Sequence, residues 1–316
     1  MMASTAVRSS ANSVANRSTA CGSPATCLAG PTAGPNWASA CLCVWGKRWW
    51  RGGIGSSRVP GVARKGRISF MAEFEVTDDV VLGGRLRIRQ PARGYRVNVD
   101  TLLLAAAVEA RDGMRLLEAG CGVGAALLAV AARTENTTFV GLERDANMAA
   151  LASENVAANG MSTRAEIVKG DVLGRDANRS VYDGAFFNPP YDEEGEGRAP
   201  SEARRHAYIA DAPIDAWVAA LADQLTGGAA LTLIHRAHKL PEILSALEGR
   251  LGGVEIAPVR PRVSAPAKRV IVRARKGSRA PLRLLKGLDL HDESSAKYTP
   301  EADALLRGET ILSWGD

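Results

Sequence analysis

The stretch Leu116-Leu117-Glu118-Ala119-Gly120-Cys121-Gly122-Val123-Gly124 constrains this chain more than any other. Met114 to Glu118 is a short apolar run that reads as a strand, the three glycines as a tight turn, and the Ala/Leu-rich Ala125 to Ala132 as a helix. A strand that feeds a helix through a glycine turn opens a parallel α/β unit, and the pattern recurs. Thr138 to Leu142 reads as the next strand. In the helix after it, Met148, Leu151, Ala152 and Val156 fall at helical spacing, and Asn159-Gly160 closes it. Further strands are expected at Ala165 to Val168, Asp183 to Phe187, Ala229 to Ile234, Val254 to Val259 and Val270 to Val272, and helices at about 213–226 and 239–250. Upstream, Gly83-Gly84 between Val80-Val81-Leu82 and the alternating Leu86 and Ile88 reads as a hairpin. Asp100 is expected to cap a helix from Thr101 to Val108. Alternating strands and helices predict an α/β fold, a mostly parallel sheet with helices on both faces.

The 316 residues, 46% apolar and 5% aromatic, exclude collagen-like and disulfide-scaffold classes. No window of eighteen uncharged apolar residues exists, so no membrane span is expected. The net charge of +6 misleads, because residues 1–70 hold nine Lys and Arg and no acid, leaving 31 basic against 34 acidic groups in the rest. That Ser-, Ala-, Gly- and Pro-rich leader lacks periodicity and is expected to be disordered. Its cysteines, Cys21, Cys27, Cys41 and Cys43, do not match zinc spacings, so no metal is expected. We read Met71 as the true start, with an organellar transit peptide second, and residues 71–316 as the working domain.

In such a sheet, ligands sit beyond the carboxyl ends of the strands, where glycines let backbone approach closely. Gly120, Gly122 and Gly124 follow G-x-G-x-G, one residue shorter than the dinucleotide fingerprint. Glu143 stands 19 residues past Gly124, where its carboxylate can accept from both ribose hydroxyls of an adenosine. Glu118 would repel a phosphate and attract an ammonium. These features point to a nucleoside cofactor with an amino-acid end, S-adenosylmethionine. Cys121, between glycines, reads as a small packed residue.

The strand ending at Phe187 runs straight into Asn188-Pro189-Pro190-Tyr191. Two prolines fix the backbone and remove two donors. The Asn188 side-chain oxygen and the Pro189 carbonyl can then accept both hydrogens of a planar amino group, while Tyr191 stacks on the ring that bears it. An exocyclic amine is a poor nucleophile, and acceptors that favour its pyramidal form raise its reactivity by differential binding.

With these motifs the chain resembles class I S-adenosylmethionine-dependent methyltransferases, and within them the bacterial tRNA1(Val) adenine-37 N6-methyltransferase family. The resemblance covers about residues 75–312, through Leu86 to Gln90, Gly94 to Leu104, Glu118 to Gly124, Asn188 to Tyr191, Leu233 to Arg236, Ala267 to Val270 and Tyr298 to Glu301. It implies a Rossmann-like seven-stranded sheet with one antiparallel edge strand. It also implies that Asp171 lies near the cofactor adenine, and that Asp100 and Thr101 help close the methionine end. Family members often carry an aromatic residue after the Tyr, where this chain has Asp192-Glu193-Glu194.

Two acid-free basic stretches, Arg85 to Arg96 and Arg260 to Lys286, and the small cluster Arg204-Arg205-His206 suggest a nucleic-acid partner, tRNA first. His235 and His238 read as surface polar residues. The expectation is a cytoplasmic enzyme that methylates an adenine N6 amino group. Glutamine methylation of a release factor, methylation of ribosomal RNA or DNA, and a non-catalytic RNA-binding module stand as alternatives.

Overall fold

In the computed structural model, which describes residues 75–93, 96–174, 181–189, 212–292 and 297–315, the chain begins with a hairpin. Strand β1 (Val76–Val81) pairs antiparallel with β2 (Leu86–Pro91) across a turn in which Leu82, Gly83 and Gly84 all take positive φ. Leu86 and Ile88 are buried while Arg87 and Arg89 face outward, the alternation that a half-covered strand requires. The leader lies outside the described residues.

Helix α1 (Val99–Ala107) follows, then β3 (Arg115–Ala119), α2 (Ala125–Ala131), β4 (Thr138–Glu143), α3 (Ala146–Ala158), β5 (Ala165–Lys169) and β6 (Tyr182–Phe187). After them come α4 (Ile214–Asp223), β7 (Leu225–Arg236), α5 (Leu240–Leu247), β8 (Leu251–Arg262), β9 (Arg269–Lys276), two short strands β10 (Arg283–Leu284) and β11 (Leu288–His291), and α6 (Pro300–Leu306). The α1 cap is Asn98, not Asp100: the Asn98 side-chain oxygen accepts from the Thr101 amide at 3.2 Å, and Asp100 is buried in the first turn.

The main sheet runs β10-β8-β9-β7-β6-β3-β4-β5, with β11 also on β8. Seven long strands make up its body as expected, and β10 and β11 extend the far edge. The antiparallel strand is not at the edge. β9 lies between β7 and β8 and runs against both. The crossover from β7 through α5 to β8 skips one position, and the six residues between β8 and β9 are enough only for a hairpin, which fills that gap with a reversed strand.

Alternate residues of the buried strands serve two cores. Leu116, Phe139 and Phe186 pack beneath α1, α2 and α3, whereas Leu117, Val140, Ala185 and Phe187 pack against α4 and α5. Among the described residues, no helix is long and apolar enough to cross a membrane.

The hairpin is tied to this body by two asparagines, Asn155 of α3 and Asn159 at its C-cap. Asn159 accepts from the Arg87 amide at 3.1 Å and donates to the Arg87 carbonyl at 2.8 Å. Asn155 accepts from the Arg89 amide at 2.8 Å and donates to the Arg89 and Val123 carbonyls, each at 2.9 Å. Two side-chain amides thus stand in for a third strand along the outer edge of β2. Because Asn155 is fully buried, Asn155→Ala strands backbone groups of both the hairpin and the glycine turn. It should cost about 3 kcal/mol of unfolding free energy, measured by urea denaturation.

Candidate active site

Register decides what meets at the carboxyl edge of the sheet. Ala119, the last residue of β3, pairs with Leu142 of β4 on one side and Phe187 of β6 on the other, and Glu143 pairs with Lys169 at the end of β5. The residues that follow these strand ends, Gly120, Gly170 and Asn188, therefore leave the sheet at the same edge. Gly120 and Asn188 begin neighbouring loops.

The three glycines of the turn all have positive φ but answer to different neighbours. A Cβ on Gly120 would stand 3.1 Å from the Trp217 ring, and one on Gly124 would stand 3.4 Å from Ala152 of α3. In front of Gly122 a Cβ would meet no protein atom within 4 Å. The backbone there fronts open space, as a ligand cradle requires.

Glu143 frames that space. Its Oε2 accepts from the Gly122 amide at 2.8 Å and its Oε1 from the Asp145 amide at 2.9 Å. Burial pushes its carboxyl above the ordinary range, against the pull of these two N–H groups. Each carboxylate oxygen has a second lone pair, so two hydroxyl donors can still be accepted in a fixed geometry. Asp171 lies just beyond the end of β5, exposed, with its Oδ1 accepting from the Leu173 amide at 2.9 Å.

Glu118 is held beneath the turn. Its Oε2 accepts from the Leu127 amide at 2.8 Å, an N–H in the first turn of α2 that has no intrahelical partner. Burial drives its carboxyl well above the usual range, and the neighbouring Glu143 pushes the same way. Cys121 is buried and packs against the Gly141 backbone; burial raises its thiol well above ordinary values, which agrees with a packed residue and not a nucleophile.

Asp100 and Thr101 are both buried at the start of α1, and Asp100 forms an ion pair with Arg269, the first residue of β9. Arg269 pairs in register with Arg236 at the end of β7, so this contact also lies at the carboxyl edge. Asn188 is half-buried and Pro189 buried; Pro190, Tyr191, Asp192 to Glu194 and the Arg204-Arg205-His206 cluster lie outside the described residues.

The basic stretches are largely structural. Arg85 donates to the Arg307 carbonyl, Arg89 pairs with Asp78 and Glu154, and Arg96 pairs with Asp79. In the second stretch, Arg260 pairs with Asp289, Arg273 with Glu255 and Glu109, Arg275 with Glu109 and Arg283 with Glu255, while Lys276 donates to two carbonyls. A run without acids in sequence is thus satisfied by acids from elsewhere in the fold. His235 is buried, not at the surface, with its Nδ1 accepting from the Arg236 amide at 2.8 Å. Trp217 was not among the residues the sequence singled out, because on an amphipathic helix its spacing reads only as core.

The methyltransferase small domain profile matches residues 94–254, half of the chain, across the glycine turn, Glu143 and Asn188. The chain belongs to the methyltransferase small domain family. It is a class I S-adenosylmethionine-dependent methyltransferase with the Rossmann-like α/β fold of that class. A crystal structure of a protein from Agrobacterium tumefaciens, described as a predicted O-methyltransferase, is 30% identical with a TM-score of 0.57, the alignment covering 67% of this chain and 98% of that one. A tRNA1(Val) (adenine(37)-N6)-methyltransferase of Actinobacillus pleuropneumoniae is 35% identical over 100 residues, 31% of this chain and 42% of the relative. Its counterpart in Enterobacter sp. strain 638 is 32% identical over 133 residues, 42% of this chain and 54% of the relative. The chain thus spans about half the length of these curated relatives.

The residues present fit the cofactor: open backbone at Gly122 for its chain and a doubly anchored Glu143 for its ribose. When bound, S-adenosylmethionine supplies a methyl group made electrophilic by its sulfonium.

The raised Glu118 carboxyl carries a testable sign. Where the folded protein holds a proton that the unfolded chain has released, stability falls as pH rises, so Glu118 costs stability from the ordinary carboxylate range up through its raised value. Glu118→Gln keeps an acceptor for Leu127 and removes the charge. Its melting temperature relative to the parent should climb as pH is raised from about 4.5 to 8, followed by scanning calorimetry.

Proposed function

We propose that this methyltransferase moves a methyl group onto the exocyclic N6 amino group of an adenine in tRNA. The observation that carries the reading is the Ala119–Phe187 register, which starts the glycine turn and the Asn188 loop side by side. In this reading Glu143 holds the cofactor ribose and Asp171 its adenine. Gly120, Gly122 and Gly124, with Asp100, Thr101 and Glu118, surround the methionine portion. The Asn188 side-chain oxygen and the Pro189 carbonyl accept the two amino hydrogens of the target. Drawing those hydrogens out of the ring plane localises the nitrogen lone pair toward the methyl, an interaction strongest in the transition state. In the same reading Pro190 offers no N–H to compete for the target, and the Tyr191 ring is the group that stacks on the base.

Nucleic acid as the partner is supported by the names of the curated relatives and by the location of cations, not by the two basic stretches as such. Arg144 follows β4, Lys169 ends β5 and Lys268 precedes β9, all exposed, and Arg236 ends β7. These groups come from separate parts of the sequence and share the edge where Asn188 emerges, as phosphate tracking toward a target base requires. An adenine inside folded RNA must be unstacked to reach Asn188, which favours a loop nucleotide. Residues 71–316 form the working domain in this reading, and a tRNA substrate places it in the cytoplasm.

The reading is tested by incubating the full chain with labelled cofactor and, separately, tRNA, ribosomal RNA, DNA and release factor, followed by digestion and chromatography. Label in N6-methyladenosine of tRNA is the expected result; label in release factor alone overturns it. Asn188→Ala should leave cofactor affinity nearly intact and lower turnover at least about a hundredfold, a transition-state loss of about 2.7 kcal/mol. Glu143→Ala should instead act on binding. It should weaken cofactor affinity by about tenfold or more, near 1.4 kcal/mol by calorimetry, since both the ribose acceptor and the anchor of the Gly122 amide are removed.

A further inference from the structure

Trp217 lies across the ends of two strands. It sits on α4, which packs on the sheet face that carries Leu117, Ala119 and Phe187. One edge of the indole reaches Gly120, where a Cβ would be 3.1 Å from Cη2 and 3.4 Å from Cζ3. The same ring stacks on Phe187, with centroids 5.6 Å apart and planes 9° from parallel. Gly120 is the first residue of the glycine turn, and Phe187 immediately precedes Asn188. One rigid bicyclic side chain therefore touches the root of both loops.

Filling the core does not require this arrangement. Val218 and Leu221 on the same helix are wholly buried, whereas Trp217 is only half-buried. A leucine would supply apolar volume but no flat surface spanning both strand ends. The approach to Gly120 also depends on the absence of a side chain there. Methyl transfer needs donor and acceptor aligned within about 3–3.5 Å, and a misplacement of about 1 Å can cost a hundredfold in rate.

We propose that Trp217 is a positioning residue for methyl transfer, its indole plate setting the distance between the glycine turn and Asn188. The inference rests on the reading that Asn188 receives the acceptor amine.

The test compares Trp217→Ala, Trp217→Leu and Trp217→Phe with Asn188→Ala in the full chain. Transfer is measured to whichever of tRNA, ribosomal RNA, DNA or release factor the parent methylates, with cofactor affinity by calorimetry and folding by thermal denaturation. Trp217→Ala should lower kcat about tenfold or more, with cofactor Kd and substrate KM each within about threefold of the parent. Phenylalanine keeps the stack on Phe187, so Trp217→Phe should exceed Trp217→Leu in kcat by about fivefold at equal melting temperature. The leucine and phenylalanine pair carries the comparison if the alanine variant does not fold. A kcat for Trp217→Ala within about twofold of the parent overturns the inference, as does a loss confined to Kd or KM, or equal rates for the leucine and phenylalanine variants. Asn188→Ala at the parent rate sinks the acceptor reading, whatever Trp217 does. Asn188→Ala impaired beside Trp217→Ala at the parent rate sinks the Trp217 inference alone.

Discussion

Parallel pairing of β3 with β4 on one edge and β6 on the other is the constraint from which the site follows. Parallel strands in register end together, so the chain must leave the sheet at one edge from every one of them. Backbone groups that no longer have a ladder partner are exposed there, and the turns that follow are free to serve a ligand. The pairing of Ala119 with both Leu142 and Phe187 turns three loops, separated by up to about seventy residues of sequence, into neighbours. The ladder of backbone hydrogen bonds, flanked by two apolar cores, makes the strand ends neighbours, and side-chain contacts at the loop roots then adjust the spacing beyond them.

That edge is bound together by buried carboxylates. Glu118 supplies an acceptor to α2 in place of a capping side chain, which Gly124 lacks, and Glu143 clamps the Gly122 amide from the neighbouring strand. Both acids resist ionisation because water is withdrawn from them, and both are compensated by backbone N–H groups, with the Arg144 charge adding to these at Glu143. The turn is therefore rigid before any ligand arrives. Asn155 extends the same logic outward, linking the Val123 carbonyl of the turn to the N-terminal hairpin. Preorganised polar groups of this kind lose little freedom on binding, so more of the interaction energy is available to the ligand.

Much of this was legible in the chain because periodicity and glycine spacing are local properties. The strand-turn-helix at Glu118 to Gly124, the hairpin at Gly83-Gly84, and the run from β4 to α3 all lie where alternation and helical spacing place them. Errors arose where a distant partner decides. Asp100 looks like a helix cap, yet Asn98 takes that place and Asp100 pairs with Arg269, 169 residues away in the chain. Arg273 and Arg275 look like part of a nucleic-acid patch, yet Glu109 and Glu255 occupy them. β10, β11 and α6 are short and rich in charge, and they form because neighbouring strands and α1 offer them a surface.

The sequence by itself determined the class of the fold and the kind of ligand at its edge, since alternating elements, three closely spaced glycines and an acid at the next strand end leave few other solutions. Tertiary structure alone decided which loops face one another, that the reversed strand β9 lies inside the sheet, which arginines remain at the surface, and that Trp217 reaches Gly120. The reason is the range of the forces involved. Local patterning reflects interactions within a turn or a strand, whereas register, charge pairing and ring stacking join residues whose separation in the chain carries no information about their distance in space.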